Sequence, residues 1–208
     1  METRKKILAV DIGNSRICCA LFFGEHLDET WNYAGSDPIV AATHLGSLEE
    51  KLSNSLTVVS SVVPDTSREL LANWPTCQNL IQISSRSQTL LKGLYDSMGA
   101  DRIANAVGAY KLYTKDAEAA IVIDFGTATT LTAVDNKGNF LGGMITLGLS
   151  NTFQALHHST AQLPELTFRE GEKPSSPLAF DTQGAIESGC VIGHIGLVRY
   201  WVEKAKQS

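Results

Sequence analysis

The segments Asp11-Ile-Gly-Asn-Ser-Arg16 and Asp124-Phe-Gly-Thr-Ala-Thr129 repeat one short pattern, in which an aspartate is followed by a glycine turn and small polar residues. Each copy follows an apolar run, residues 7–10 and 121–123, of the kind that forms a buried strand. The two aspartates lie 124 − 11 = 113 positions apart. From this repetition we expect two related half-molecules that face one ligand. A carboxylate, a tight turn and compact donors suit a metal–nucleotide complex, so the repeat predicts nucleotide chemistry.

The glycine turns are the predicted phosphate-binding elements. The sequence contains neither G-x-x-x-x-G-K-[ST] nor G-x-G-x-x-G, which excludes the two commonest nucleotide-binding loops. At Gly13 and Gly126 the missing Cβ lets backbone N–H groups approach phosphate oxygens closely. Uncharged donors follow each turn, namely Asn14 and Ser15 in the first copy and Thr127, Thr129 and Thr130 in the second.

Asp11 is the predicted magnesium carboxylate. It can orient a Mg²⁺ through water, because Mg²⁺ keeps most of its hydration shell and takes only one or two carboxylates. The alternative is that Asp-x-Gly is an ordinary turn sequence. One copy alone would favour that alternative, whereas a second copy after a buried strand argues for a function.

The composition is that of a globular protein with a real core, at 208 residues, 43% hydrophobic and 19% charged. This length fits one large domain or two small ones of roughly 100 residues each. The net charge of −5 argues against nucleic acid as a partner, because no basic patch is available to neutralise phosphates. The apolar stretch behind the basic N-terminus ends at Asp11, too early for an export signal, and nothing reaches the length of a membrane span. We expect a cytoplasmic protein.

Cysteine and histidine spacing does not indicate a metal site. Cys18, Cys19, Cys77 and Cys190 lack the paired spacing of zinc ligands, so we expect reduced, mostly apolar fillers. The adjacent residues 157 and 158 are both histidine on a predicted helix, where neighbours do not share a face, which favours a surface role.

Strand and helix patterns recur in the same order in the two halves. In the first half the sequence predicts strands at 6–12, 16–23, 30–33, 56–63 and 80–83, and helices at 38–52, 65–73 and 101–114. In the second it predicts strands at 119–124 and 129–134, and a loop holding Gly142, Gly143 and Gly148. It also predicts a helix at 150–160, a surface loop at 170–177, and one or two helices over 184–204. This order predicts an α/β fold with a mixed sheet in each half, and domains at 1–115 and 116–208.

Gly99-Ala-Asp-Arg102 forms a third candidate segment, at the start of the predicted helix 101–114. A carboxylate at Asp101 can cap free N–H groups and is stabilised there by the helix dipole, which is a purely structural explanation. Arg102 is unusual beside it, because a cation at a helix N-terminus is unfavourable. A site that needs both a base and an anion-binding guanidinium would accept that cost.

Taken in order along the chain, these motifs resemble those of the type III pantothenate kinases, members of the acetate kinase/sugar kinase/Hsp70/actin superfamily. The resemblance covers nearly the whole chain. It rests on Asp11-Ile-Gly-Asn-Ser15, Gly99-Ala-Asp-Arg-Ile-Ala-Asn105, Asp124-Phe-Gly-Thr-Ala-Thr-Thr130, Gly142-Gly-Met-Ile145, Thr160-Ala-Gln-Leu-Pro164 and Thr182 through Ser188-Gly189. It implies duplicated ribonuclease H-like halves with mixed sheets flanked by helices, and an active site in the cleft between them.

The resemblance also implies a reaction and its residues. The family phosphorylates the primary hydroxyl of pantothenate with ATP, which opens coenzyme A synthesis. The implied ATP contacts are Asp11, Ile12, Gly13, Asn14, Ser15, Arg16, Ile17, Cys18 and Thr127. The implied substrate contacts are Tyr95, Gly99, Ala100, Asp101 as the base, Arg102 on the pantothenate carboxylate, and Thr182 from the facing protomer of a homodimer. Asp124 is the implied ligand of a monovalent cation, K⁺ or NH₄⁺, and Mg²⁺ accompanies ATP.

Two other functions remain open at this point. Family members usually continue for some tens of residues and carry a Thr-Gly-Gly turn near the adenine, which this sequence does not contain. A catalytically silent relative with a regulatory or partner-binding role is therefore an alternative, although it has no physical reason to keep Asp11, Asp101, Arg102 and Asp124. A phosphatase or sugar kinase of the same superfamily is a third reading, against which the Gly99–Arg102 segment speaks.

Overall fold

The computed structural model describes residues 5–77, 79–168, 171, 174 and 176–207. They divide into two compact units, residues 1–108 and 109–208, with the division inside a helix. The sequence pattern instead predicts a boundary at 115/116, in the loop that follows this helix. Among the described residues, no helix is long and apolar enough to cross a membrane.

The first unit is built on a five-stranded mixed sheet in the order β3-β2-β1-β4-β5. Its strands are β1 (Lys6–Ile12), β2 (Arg16–Phe23), β3 (His26–Ala34), β4 (Leu56–Ser61) and β5 (Leu80–Gln82). Its helices are α1 (Pro38–Ser47), α2 (Glu49–Leu52), α3 (Pro64–Ala72) and the start of α4 (Ala100–Tyr113). β1 pairs antiparallel with β2 and parallel with β4. The parallel pairing places the end of β4 beside the end of β1, where Asp11 lies.

Alternation along β1 decides which face of this sheet is buried. Leu8, Val10 and Ile12 are almost fully buried in a cluster that includes residues of α1 and α3. Asp11 lies between two of them and is exposed, because successive side chains of a strand point to opposite faces. The strand pattern therefore presents Asp11 on the face away from this core.

The predicted helix at 38–52 is two helices in the structure. α1 ends at Ser47, and the N–H of Leu48 donates to the carbonyl of Leu45 at 3.2 Å, a tightened last turn. Gly46 and Ser47 are poor helix formers, which is consistent with a break at this position. Pro38 and Pro64 begin α1 and α3, where a missing N–H costs nothing.

The second unit contains a three-stranded antiparallel sheet in the order β6-β7-β8. Its elements are β6 (Ala119–Phe125), β7 (Ala128–Asp135), β8 (Phe140–Leu147), α5 (Leu149–His158) and α6 (Thr182–Ala205). Phe153 of α5 packs with Ile186 and Cys190 of α6. The expected mixture of parallel and antiparallel pairs is seen only in the first unit. Consecutive hairpins pair antiparallel, and within the described residues α5 and α6 lead into no further strand.

β8 corrects one expectation. Gly142 and Gly143 are predicted from the sequence to lie in a loop, whereas both lie within a strand. Gly142 has φ +130° at a register shift against Ala133 and Val134, so glycine here makes a bulge in the ladder. The surrounding residues alternate between exposed and half-buried, which is the strand signal that the two glycines conceal.

Several of the remaining expectations can be compared with the structure. The fold class, α/β with two sheets flanked by helices, is confirmed. Cys18, Cys19, Cys77 and Cys190 are all free thiols. Of the expected surface loop at 170–177, residues 170, 172, 173 and 175 lie outside the described residues.

Candidate active site

The first glycine turn closes the β1–β2 hairpin. The N–H of Gly13 donates to the carbonyl of Arg16 at 2.9 Å, and Asp11 pairs across the ladder with Cys18. Asn14, Ser15 and Arg16 are exposed on the turn. The structure therefore presents this predicted phosphate-binding segment at the end of a hydrogen-bonded hairpin, with its polar side chains accessible.

Two of the predicted ATP contacts point elsewhere. Ile12 and Ile17 are fully buried in the hydrophobic core of the first unit. Their side chains hold the hairpin against α1 and α3, so only their backbone could meet a ligand. The sequence motif predicts that the whole segment contacts ATP. The alternation of side chains along each strand separates the residues that face the core from those that do not.

Gly35 supports the first turn and escapes the sequence analysis. Its N–H donates to the carbonyl of Ser15 at 2.9 Å. A Cβ built on Gly35 would lie 2.8 Å from the carbonyl oxygen of Asn14 and 3.0 Å from the backbone of Ser15. Residue 35 must therefore be glycine for β3 to end against the turn, and no local pattern in the sequence shows this.

Cys18 lies next to the carboxylate that the turn presents. Burial raises the pKa of its thiol, and the negative charge of Asp11 raises it further. The neighbouring Cys19 is buried in the core, and burial raises its pKa to about 12. Both therefore remain protonated thiols at neutral pH and are weak nucleophiles.

The Gly99–Arg102 segment forms the first turn of α4. The N–H of Ile103 donates to the carbonyl of Gly99, and the N–H of Arg102 donates to Oδ1 of Asp101 at 2.7 Å. A Cβ built on Gly99 would lie only 2.5 Å from that same Oδ1. The absence of a side chain at Gly99 thus gives the Asp101 carboxylate its position, and Ala100 beside it is buried.

Arg102 is a buried cation held by a tyrosine. Its side chain is 5% exposed, and Nη1 donates to the hydroxyl of Tyr95 at 2.6 Å. Burying a guanidinium is costly unless its N–H groups are bonded, so Tyr95 positions it rather than merely neighbouring it. Both residues are predicted substrate contacts, and in the structure this hydrogen bond joins them directly.

Val62 connects this segment to the first turn within the same unit. Its N–H donates to the carbonyl of Ile12 at 3.1 Å, extending the parallel ladder beyond β4. Its Cγ1 would lie 3.4 Å from a Cβ on Gly99. The structure therefore brings the Asp11 hairpin and the start of α4 to the same end of the sheet.

The second glycine turn, described within its own unit, has a similar form. The N–H of Gly126 donates to the carbonyl of Ala128 at 3.0 Å, and Asp124 pairs with Thr130 across the ladder. The carbonyl of Thr127 accepts two hydrogen bonds at 2.9 Å, from the N–H of Gly148 and from Nδ2 of Asn151. The start of α5 thus fixes this turn through a contact that the sequence analysis does not find.

His194 of α6 supports the same hairpin from another side. Its Nε2 lies 2.9 Å from the hydroxyl of Thr129, and its ring centroid lies 6.2 Å from that of Phe125. Burial lowers the pKa of His194, which favours the neutral ring. Sequence reasoning had no signal for this residue, because its partner is distant along the chain.

Comparison with known proteins decides the family. A family model described as type III pantothenate kinase matches residues 7–204, which include every predicted site residue. The chain belongs to the type III pantothenate kinase family.

Individual relatives agree with this assignment. The chain is 33% identical to a type III pantothenate kinase of Paramagnetospirillum magneticum over 97% of its length and 80% of that protein. It is 32% identical to one from Agathobacter rectalis with the same coverage. A solved structure from Campylobacter jejuni, described as a Baf family transcriptional activator, shares the fold with TM-score 0.57 and 21% identity, covering 92% of this chain and 77% of the other.

The remaining predicted contact in this member of the pantothenate kinase family is Thr182. It is exposed and is the first residue of α6. Asp181 caps the helix by accepting a hydrogen bond from the N–H of Gly184 at 2.8 Å. Leu178 and Phe180, just before the cap, expose apolar side chains. Thr182 therefore lies on an accessible, partly apolar surface of the second unit.

Proposed function

We propose that this protein transfers the γ-phosphoryl group of ATP to the primary hydroxyl of pantothenate, giving 4'-phosphopantothenate for coenzyme A synthesis. The observation that carries the proposal is the position of the Asp101 carboxylate, which accepts from the backbone N–H of the buried Arg102, at the same end of the sheet as the Asp11 hairpin. A base, an anion-binding cation and a phosphate-binding turn are the groups that this reaction requires.

The proposed reaction forms one P–O bond, breaks another and moves one proton to Asp101. The pantothenate hydroxyl oxygen forms the new P–O bond, the bond from γ-phosphorus to the leaving ADP breaks, and Asp101 accepts the hydroxyl proton. A primary alcohol is too weak an acid for a carboxylate to deprotonate beforehand, so the proton moves as the new bond forms. Arg102 holds the pantothenate carboxylate, with Tyr95 fixing its guanidinium.

Charge neutralisation at the phosphates is assigned to the N–H groups of the turns and to the cations that two carboxylates would hold. Asp11 is a single exposed carboxylate beside a glycine turn. Such a site suits Mg²⁺, because this ion keeps most of its waters and takes its other ligands from one or two carboxylates and the phosphates of the substrate. Asp124, with Thr130 across the ladder, is the proposed ligand for K⁺ or NH₄⁺. Bound cations neutralise the charge that develops on the transferring group. Backbone N–H groups near Gly13 and Gly126, with Thr127, complete the phosphate contacts.

A homodimer is part of the proposal. Thr182 would reach the pantothenate of the facing protomer, and the exposed side chains of Leu178 and Phe180 would be covered by that partner. Leu178 and Phe180 are two positions apart in the chain, and contiguous exposed apolar patches are typical of surfaces that bind another protein. If so, a strictly monomeric form should have almost no activity.

The reaction itself is tested by ADP release in a coupled assay. With pantothenate and Mg-ATP we expect turnover that requires pantothenate and is much faster in K⁺ than in Na⁺. The same assay on Asp124→Asn should lose the difference between the two cations. Absence of turnover from folded protein that still binds pantothenate would refute the kinase proposal and favour a silent, partner-binding relative.

Tyr95→Phe tests the substrate end of the site. The variant removes the oxygen that accepts from Arg102 Nη1 at 2.6 Å and leaves the ring in place. A hydrogen bond to a charged group contributes about 1.5–3 kcal/mol, so we expect KM for pantothenate to rise roughly 10- to 100-fold. kcat and the KM for ATP should stay close to wild type in steady-state kinetics. A change confined to the ATP KM would place Tyr95 outside the pantothenate pocket.

A further inference from the structure

One buried polar atom in the first unit has no partner within the described part of the chain. The hydroxyl of Ser60, on a side chain only 6% exposed, makes no hydrogen bond. Neighbouring buried hydroxyls are satisfied. Ser55 donates to the carbonyl of Leu52 at 2.6 Å, and Ser67 donates to the carbonyl of Val63 at 3.1 Å. A buried hydroxyl without a partner costs free energy, so its retention calls for an explanation.

The sheet register places Ser60 beside Asp11. The two residues are partners in the parallel β1–β4 ladder, and paired residues present their side chains on the same face. The next pair, Val10 and Val59, belongs to the core on the opposite face. The Ser60 hydroxyl is therefore on the side of the sheet that carries the Asp11 carboxylate.

The chain runs from Ser60 towards the start of α4. Val62, two positions further along the same direction, is the residue that approaches Gly99. Ser60 therefore pairs with Asp11 and lies two positions before the residue that approaches the segment carrying Asp101. No local sequence feature distinguishes this serine from Ser61 next to it, whose hydroxyl is hydrogen-bonded.

We propose that Ser60 is a further positioning residue of the phosphate site, whose hydroxyl hydrogen-bonds the hydration shell of the divalent cation held at Asp11. The proposal rests on the function proposed above. The serine oxygen can accept a hydrogen bond from a water molecule bound to the cation. The hydroxyl proton can then be donated to a carboxylate or phosphate oxygen. Ser60 would thereby fix where the cation's waters lie relative to Asp11, without binding the metal itself.

The proposal predicts opposite changes in stability and in cation binding. Ser60→Ala removes an unsatisfied buried hydroxyl, so the ligand-free protein should unfold at a temperature roughly 2–6 °C higher. The same variant should bind Mn²⁺ about 5- to 10-fold more weakly in the presence of ADP, the equivalent of one lost hydrogen bond. Mn²⁺ serves as the spectroscopic probe, since bound and free ion are counted by electron paramagnetic resonance.

Ser55→Ala is the matched control. Its hydroxyl is equally buried but already bonded, so the variant should lower the unfolding temperature and leave Mn²⁺ binding unchanged. If Ser60→Ala unfolds at a lower temperature, fails to fold, or binds Mn²⁺ as tightly as wild type, Ser60 is structural and the inference is wrong. A wild-type protein that binds no Mn²⁺–ADP would instead remove the proposed kinase function. The two failures are therefore distinguishable.

Discussion

Asp101→Asn is expected to lower kcat for pantothenate phosphorylation by about 10²- to 10⁴-fold, the usual contribution of a general base. The amide cannot take the hydroxyl proton as the new P–O bond forms. The substitution keeps the size of the side chain and keeps one oxygen able to accept from the N–H of Arg102, now at 2.7 Å from Oδ1. The start of α4 should therefore remain intact.

The measurement separates chemistry from binding. Steady-state kinetics should show the loss in kcat, while calorimetric titration with an ATP analogue should give an unchanged Kd. Asp101→Ala is the companion variant, because it removes the acceptor oxygen as well and should add a loss of stability of about 1 kcal/mol. Near-full turnover by Asp101→Asn would exclude this carboxylate from the proton transfer.

Gly148→Ala is expected to destabilise the second unit by about 3 kcal/mol, at the upper end for an added methyl group in a packed site. The new Cβ would clash with the carbonyl oxygen of Gly126, a backbone atom that cannot rotate away. The backbone of Gly148 has φ −66° and ψ 160°, which alanine adopts readily, so the cost is steric. Either the start of α5 or the second turn must move.

Thermal unfolding and nucleotide binding report the two consequences. For a chain of this size the unfolding temperature should fall by roughly 6–12 °C, and the affinity for ATP should fall because the turn that carries Thr127 is displaced. Gly46→Ala is the control. Among the described residues, no neighbouring atom lies within 4 Å of the position that a Cβ on Gly46 would take, and Gly46 is helical, so alanine should stabilise by about 1 kcal/mol. Equal behaviour of the two variants would contradict the steric argument.

The elements that the sequence predicts well are those in which apolar residues recur with the period of a strand or a helix. Strands β1, β2, β6 and β7 follow from apolar runs on both sides of a glycine turn, and the bounds of α4 agree within one residue. β8 is missed because Gly142 and Gly143 read as loop residues, although a bulge accommodates them within a strand. The break between α1 and α2 is missed because the apolar spacing continues across it.

The residues of the candidate site also fall into a group that the sequence predicts and a group that it does not. Asp11, Asp101, Arg102 and Asp124 are found from motifs, because each motif is short and its chemistry is local. Their supporting residues are not found. Gly35 packs on the first turn, while Gly148, Asn151 and His194 pack on the second hairpin, each from a distant part of the chain.

The amino-acid sequence by itself determined the two Asp-x-Gly hairpins, the Gly99–Arg102 segment and the family, because these depend on residue type and short-range order. Only the tertiary structure decided that Gly148 has no space for a methyl group, that Arg102 is buried against Tyr95, and that Ser60 lies beside Asp11 without a partner among the described residues. Those facts depend on which distant segments meet. Close contacts between segments follow from the path of the whole chain, and no local period encodes that path.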